Sequence, residues 1–96
     1  MDDVVSRARS LVESFGELVR AELPAGVEVF DAHTHLGLDI DGMRGEGDEL
    51  LRVQRAHGIT QSFVFCLDEP DRHPGFRDPN DRTLAHAAAA PDELIP

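Results

Sequence analysis

The chain contains no lysine. Its nine basic residues are all arginine, and nineteen aspartates and glutamates outnumber them. The formal net charge is -10 at pH 7. A surface of that sign without basic clusters repels polyanions, so we expect no nucleic acid and no anionic membrane as a partner. The charge does not exclude a small anionic ligand, because a metal ion or a single arginine can make the electrostatic potential positive locally.

Cysteine and long apolar segments are also scarce. Cys66 is the only cysteine, which excludes an internal disulfide and fits a reducing compartment. No apolar run approaches the roughly 20 residues of a membrane span, and the N-terminus lacks the basic-then-apolar order of a signal peptide. The sequence therefore predicts a cytoplasmic protein, and its 96 residues form at most one small domain.

Residues 1–26 have the pattern of an amphipathic helix followed by a turn. Apolar residues recur at alternating spacings of three and four, which predicts a helix from about Asp3 to Leu23, ended by Pro24 and Gly26. We expect the apolar stripe to pack against the rest of the domain, and a helix that binds a partner is the alternative. The stripe consists of Val4, Val5, Ala8, Leu11, Val12, Phe15, Leu18 and Val19.

Residues 27–96 alternate between strand and helix signals. Strands are predicted over Val27–Leu36 and Gln61–Leu67, helices over Asp48–His57 and after a cap at Asn80, and a further strand begins near Glu93. This alternation predicts a parallel sheet with right-handed crossovers. The continuous apolar run of the second strand is typical of a strand that is covered on both faces.

The stretch FDAHTHLG, Phe30 to Gly37, sets two histidines one residue apart at the end of the first strand. Successive side chains on a strand point to opposite faces, so His33 and His35 should share one face, together with Asp31. Backbone positions about 6–7 Å apart allow both imidazoles to reach one metal ion beyond the strand end. Imidazole suits zinc, manganese or iron. The alternative is a structural pair that hydrogen-bonds to loop backbone.

FDAHTHLG resembles the opening of the amidohydrolase superfamily, whose members are metal-dependent hydrolases on a (β/α)8 TIM-type barrel. HGITQSFVFCL resembles the second-strand segment of the amidohydrolase-related branch (amidohydrolase family 2), and NDRTLAHAAAAPDELIP resembles the stretch that leads into its third strand. By this resemblance, residues 27–96 are expected to be the first two βα units of such a barrel, truncated at the start of strand three. The amphipathic helix of residues 1–26 would precede them.

The resemblance implies that His33 and His35 are metal ligands, of zinc by preference, and that Asp31 orients them from below. The family chemistry is attack by a metal-activated water on a small amide, ester or lactone. Some relatives instead decarboxylate aromatic or enoic acids, which is the alternative within the branch. Barrels of the polymerase and histidinol phosphatase type also open with HxH, but they place a histidine beside the acids after strand two, and CLDEP has none.

The resemblance also implies groups that this sequence does not contain, namely histidines from strands five and six and a catalytic Asp from strand eight. Two histidines leave a catalytic zinc short of its usual three protein ligands. We therefore assign no catalytic residue and expect the fragment alone to be inactive. Uncovered sheet edges predict self-association. A non-enzymatic interaction module with structural histidines is the alternative outside the enzymes.

Two further residues are candidate contacts for a small-molecule substrate. Arg44 lies in the loop after the histidine strand, and His73 lies in the second long loop; solvated loop side chains are the alternative for both. Asp68, Glu69 and Asp71 follow the second strand and have the pattern of a solvated acidic loop, because charge runs are usually surface.

Overall fold

The computed structural model describes residues 2–39, 41–68 and 73–96. Within these ranges the chain forms three helices and four strands. In chain order they are α1 (Asp2–Glu22), β1 (Phe30–Leu38), β2 (Arg44–Gly45), α2 (Gly47–Ala56), β3 (Gln61–Cys66), α3 (Arg77–Ala89) and β4 (Leu94–Ile95).

The described strands form one mixed sheet in the order β2-β1-β3-β4. β3 runs parallel to both β1 and β4, whereas β2 pairs with the end of β1 in the antiparallel direction. The reversal is a tight turn in which the Asp39 N–H donates to the Met43 carbonyl at 2.8 Å. Gly42 supplies a φ of +86° there, which other residues adopt at a cost.

The predicted fold class, the first two βα units of a (β/α)8 barrel, is therefore wrong for this chain. The structure is a small α/β fold with a four-stranded, mixed half-barrel sheet and three described helices. The segment predicted as a loop after the histidine strand contains β2, whose Gly45 and Arg44 pair with Gly37 and Leu38. An all-parallel sheet built from βα units has no place for this antiparallel strand.

Strand β1 carries a register irregularity between Asp31 and Thr34, the segment that contains His33. Asp31 pairs with Ser62 and Thr34 with Val64, so β1 uses one residue more than β3 between these two pairs. An extra residue of this kind is a β-bulge, and it breaks the alternation of faces. Asp31 consequently lies opposite the buried Ser62, whereas His35 lies opposite the exposed Phe65.

The core lies on one face of the sheet, beneath α2 and α3. Fully buried strand residues alternate with the half-exposed Phe63 and Phe65, which are 48% and 45% exposed on the other face. The prediction that the second strand is covered on both faces is therefore wrong. The core consists of Leu36, Val64, Cys66, Ala87, Ala90 and Leu94, with Leu50 and Leu51 of α2 packed against it.

A buried polar network holds α2 on the sheet. The Ser62 hydroxyl donates to the Gln54 side-chain carbonyl at 2.8 Å, and the Gln54 amide donates to the Glu93 carbonyl at 3.2 Å. Arg55 adds a two-pronged ion pair to the Glu93 carboxylate, at 2.8 and 2.6 Å. These contacts join α2 to β3 and to the segment before β4. The buried side chains of Ser62 and Gln54 therefore both have hydrogen-bond partners.

Helix α3 begins at Arg77, three positions before the predicted cap, so Asn80 lies inside the helix and its N–H donates to the Phe76 carbonyl. Thr83 attaches the helix to the sheet. Its hydroxyl oxygen accepts the Cys66 N–H at 2.8 Å, and the same hydroxyl donates to the Pro79 carbonyl at 2.9 Å.

Helix α1 was expected to bury its apolar stripe against the domain, and it does not; His57 at the end of α2 approaches it near Gly16. The large apolar residues of its stripe between Val4 and Val19 remain 54–68% exposed. No described helix combines the length and the apolarity that a membrane span requires.

Candidate metal site

His33 and His35 lie side by side on the face of the sheet that α2 and α3 leave open. Their Nε2 atoms are 2.9 Å apart, and their ring planes cross at 83° with centroids 4.7 Å apart. Since residues two apart on a strand are separated by about 6–7 Å at the backbone, the two side chains converge. Both histidines are exposed to solvent.

The neighbouring residues hold this arrangement from two sides. Phe65, opposite His35 in the register, packs edge-on against the His35 ring with centroids 4.3 Å apart. The Asp31 carboxylate accepts the backbone N–H of His33 at 3.0 Å. Asp31, predicted to orient the histidines, thus makes its described contact with the backbone at the bulge.

The spacing of the two nitrogens fits a shared metal ion. Zinc binds imidazole at about 2.0–2.1 Å, so two ligands at 90–109° around it have nitrogens about 2.8–3.4 Å apart. The observed 2.9 Å between His33 and His35 lies within that range. At this distance one Nε2–H donates to the other Nε2 in the absence of metal. A bound metal ion would take the place of that proton, with the ring protons on Nδ1.

The described part of the chain supplies no larger ligand set. Among residues 2–39, 41–68 and 73–96, no group of three or more His, Cys, Asp or Glu side chains is placed to hold a metal ion. The candidate site is therefore a pair of imidazoles, one fewer than the three protein ligands usual for catalytic zinc.

Arg44, a predicted substrate contact, lines two clefts, one of about 300 Å³ with Asp68, Arg82 and His86 and a second at His35. The shallow cleft at His35 has a volume of about 190 Å³ and is also lined by Gly37, Met43 and Leu67. The antiparallel pairing of β2 with β1 brings Arg44 there. Arg44 is exposed and has the Glu46 carboxylate 3.7 Å away, so an anionic ligand would have to compete with that weak ion pair.

Asp68 is a residue whose environment the sequence did not reveal. The predicted solvated loop is wrong at this position, because Asp68 is only 7% exposed. Its carboxylate accepts the Leu38 N–H and one Arg82 N–H, each at 2.8 Å. Burial raises the pKa of Asp68, but these two hydrogen bonds and the positive charges of Arg82 and Arg44 together hold the pKa below its ordinary value. Asp68 thereby ties the end of β1 to β3 and α3.

The remaining predicted residues are not brought to the histidine pair by any described contact. His73 lies exposed in the turn before α3 and is not among the residues that line the cleft at His35. Glu69 and Asp71 lie outside the described residues. A substrate contact by His73 stays a prediction.

The chain was also compared with models of protein families, with curated proteins and with solved structures, and none of them gave a match. The similarity of FDAHTHLG to the amidohydrolase superfamily accordingly stays a prediction from the sequence.

Proposed function

We propose that His33 and His35 bind one divalent metal ion, zinc by preference over manganese or iron, and that the chain serves metal-dependent hydrolysis of a small amide, ester or lactone. The observation that carries the proposal is the 2.9 Å separation of the two Nε2 atoms on an exposed face. The likeness of FDAHTHLG to the amidohydrolase superfamily supports the reaction class. When bound, the metal would lower the pKa of a water molecule and polarise the substrate carbonyl.

The residues around the pair have separate roles in this proposal. His33 and His35 donate Nε2 lone pairs, and Phe65 limits rotation of the His35 ring by its edge-on contact. The open sheet face leaves room for a substrate above the imidazoles. Arg44, in the same cleft as His35, offers a cation to a substrate carboxylate. Because catalytic zinc usually has three protein ligands, we expect the chain alone to bind metal without appreciable turnover.

Zinc titration of the purified chain by calorimetry tests the proposal. We expect one zinc ion per chain, with binding lost when both His33 and His35 are replaced by alanine. The matched control is His57→Ala, which removes an exposed imidazole at the end of α2 and should leave zinc binding unchanged. Equal binding by the double variant and the wild type would refute the metal site.

Whether the chain alone turns over a substrate needs a separate measurement. Metal-loaded chain is incubated with an activated ester, and product is followed against metal-free chain and against His33→Ala. We expect little or no turnover above the metal-free control. Hydrolysis that depends on metal but persists in His33→Ala would contradict the assigned role of His33.

A further inference from the structure

Helix α1 presents an apolar surface that the rest of the described chain approaches only at one edge, where His57 lines a cleft with Val5 and Val12. Its seven large apolar residues from Val4 to Val19 are 54–68% exposed, although they occupy one side of a 21-residue helix. Exposed patches of this size on soluble proteins mark interaction sites. The feature is independent of the metal site, because it lies on a different element from His33 and His35.

The stripe follows a seven-residue repeat. Leucine or valine recurs at residues 4, 11 and 18, valine recurs at 5, 12 and 19, and Ala8 and Phe15 are also seven apart. These are the d and e positions of three successive heptads and two of the a positions; Glu22 takes the third a position. A repeat of 3.5 residues keeps a seam facing another helix along its whole length. The surface therefore fits a helix as its partner, rather than the flat face of a sheet.

We propose that the partner is α1 of a second copy of this chain, packed in the antiparallel direction. A stripe that pairs with itself about a two-fold axis forms an isologous dimer, the commonest symmetric assembly. Seven side chains of this size present on the order of 700 Å² of apolar surface per copy, at roughly 100 Å² each. Stable interfaces bury about 800 Å² per partner, so the stripe alone supplies most of the required area.

The two edges of the stripe favour the antiparallel direction. One edge is lined by Val5, Val12 and Val19, and the other carries Arg7, Ser14 and Ala21. In an antiparallel pair like edges face each other, so the valine edges bury one another and Arg7 lies near the small residues of the other copy. A parallel pair would set the edge with Arg7 against the valine edge.

Most acidic side chains of α1 do not oppose this contact directly; Glu22, at the end of the helix, is the one that falls on the stripe. By helical geometry, Asp3, Glu13 and Glu17 project from the side of α1 away from the stripe. The repulsion between two copies of net charge -10 therefore acts across the width of the helices, where solvent and salt screen it.

Sedimentation equilibrium of the full 96-residue chain tests the proposal. We expect wild type to pass from monomer to dimer as concentration rises. Replacing Leu11 and Leu18 by glutamine, a good helix former, should raise the dissociation constant by at least about 100-fold. The matched control, Ser6→Gln with Ser10→Gln on the far side of the helix, should change it by no more than about 2-fold.

Three results would overturn the proposal: a wild type that is monomeric at every concentration, an assembly larger than a dimer, or a leucine variant that associates as tightly as wild type. Dispersed amide signals from Val64 and Leu94 check that the core of the leucine variant is intact. If that variant does not fold, the concentration series of the wild type and the spin-label distances described below still test the dimer.

Spin-label distances test the orientation. In a Cys66→Ser background, single cysteines are labelled at residue 10, near the middle of α1, or at residue 3, near its end. An antiparallel pair predicts a short distance at residue 10 and, at residue 3, one close to the helix length of about 30 Å. Short distances at both sites would indicate a parallel pair and refute the antiparallel dimer.

Discussion

The carboxylate of Asp68 occupies the space that a side chain at Gly37 would need. A Cβ built on Gly37 overlaps Asp68 Oδ1, and Gly37 has a φ of +89°. The neighbouring Leu38 N–H donates to the same oxygen at 2.8 Å. The end of the histidine-bearing strand is thus fixed by a close approach that only glycine permits.

Gly37→Ala should destabilise the fold by more than its backbone conformation alone would cost. Alanine at positive φ costs about 1–2 kcal/mol, and the displacement of the Asp68 carboxylate adds to that. Gly42→Ala is the matched control, because its φ is +86° and nothing lies within 4 Å of the position that a Cβ would take there. Urea unfolding of both variants measures the difference.

The same pair of variants is also measured in an Asp68→Ala background. The Asp68 carboxylate is then absent, so Gly37→Ala should lower the free energy of unfolding by no more than Gly42→Ala does. Equal free energies of unfolding for the two glycine variants in the wild-type background would show that the close approach contributes nothing.

The pairing of Asp68 with Leu38 and Arg82 makes stability depend on pH. The pKa of Asp68 is lower in the folded chain than the value of about 3.9 in the unfolded chain. Its contribution is therefore present above about pH 4 and is lost as the pH falls through the folded-state pKa. We expect Asp68→Asn to unfold about 1–3 kcal/mol more easily than wild type at neutral pH.

That difference between wild type and Asp68→Asn should shrink as the pH is lowered below about 4. Asp78→Asn, which alters an exposed carboxylate at the start of α3, is the control and should differ from wild type by less than about 0.5 kcal/mol. A gap for Asp68→Asn that stays constant down to about pH 3 would contradict the assigned ion pair.

Phe65→Ala should weaken zinc binding. The Phe65 ring lies edge-on to His35 with centroids 4.3 Å apart, and such contacts contribute about 0.5–1.5 kcal/mol, or roughly 2- to 12-fold in affinity. Phe63→Ala is the control, since Phe63 lies on the same strand and face but packs against Phe30. Calorimetric titration that finds equal losses for both variants would exclude a specific role for Phe65.

Local patterns in the sequence located most of the elements. α2 begins and ends within one residue of the predicted Asp48–His57, because its apolar spacing and the following Gly58 are short-range signals. β2 had no such signal, since a strand of two residues has no period. It exists because the turn from Asp39 to Met43 returns the chain to Gly37 and Leu38. That antiparallel pair is what separates the fold from the predicted one.

The sequence predicted the histidine pair of the candidate site but not the surroundings of Asp31 and Asp68. A period of two is enough to place His33 and His35 on one face, where their rings meet. The bulge that moves Asp31 opposite Ser62 depends on pairing with a strand about thirty residues away, and no nearby residue marks it. Burial of Asp68 likewise depends on Arg82 of α3. The apolar stripe of α1 was plain in the sequence, but its exposure depends on where the helix lies.

The most direct test of zinc binding by His33 and His35 is to observe the imidazole nitrogens while zinc is added. Long-range proton–nitrogen NMR spectra of the ¹⁵N-labelled chain distinguish Nε2 from Nδ1 in each histidine. We expect the Nε2 signals of His33 and His35 to shift together and reach a plateau at one equivalent of zinc, while those of His57, His73 and His86 stay in place. Zinc-dependent shifts at those other histidines, or at only one member of the pair, would contradict the proposed metal site.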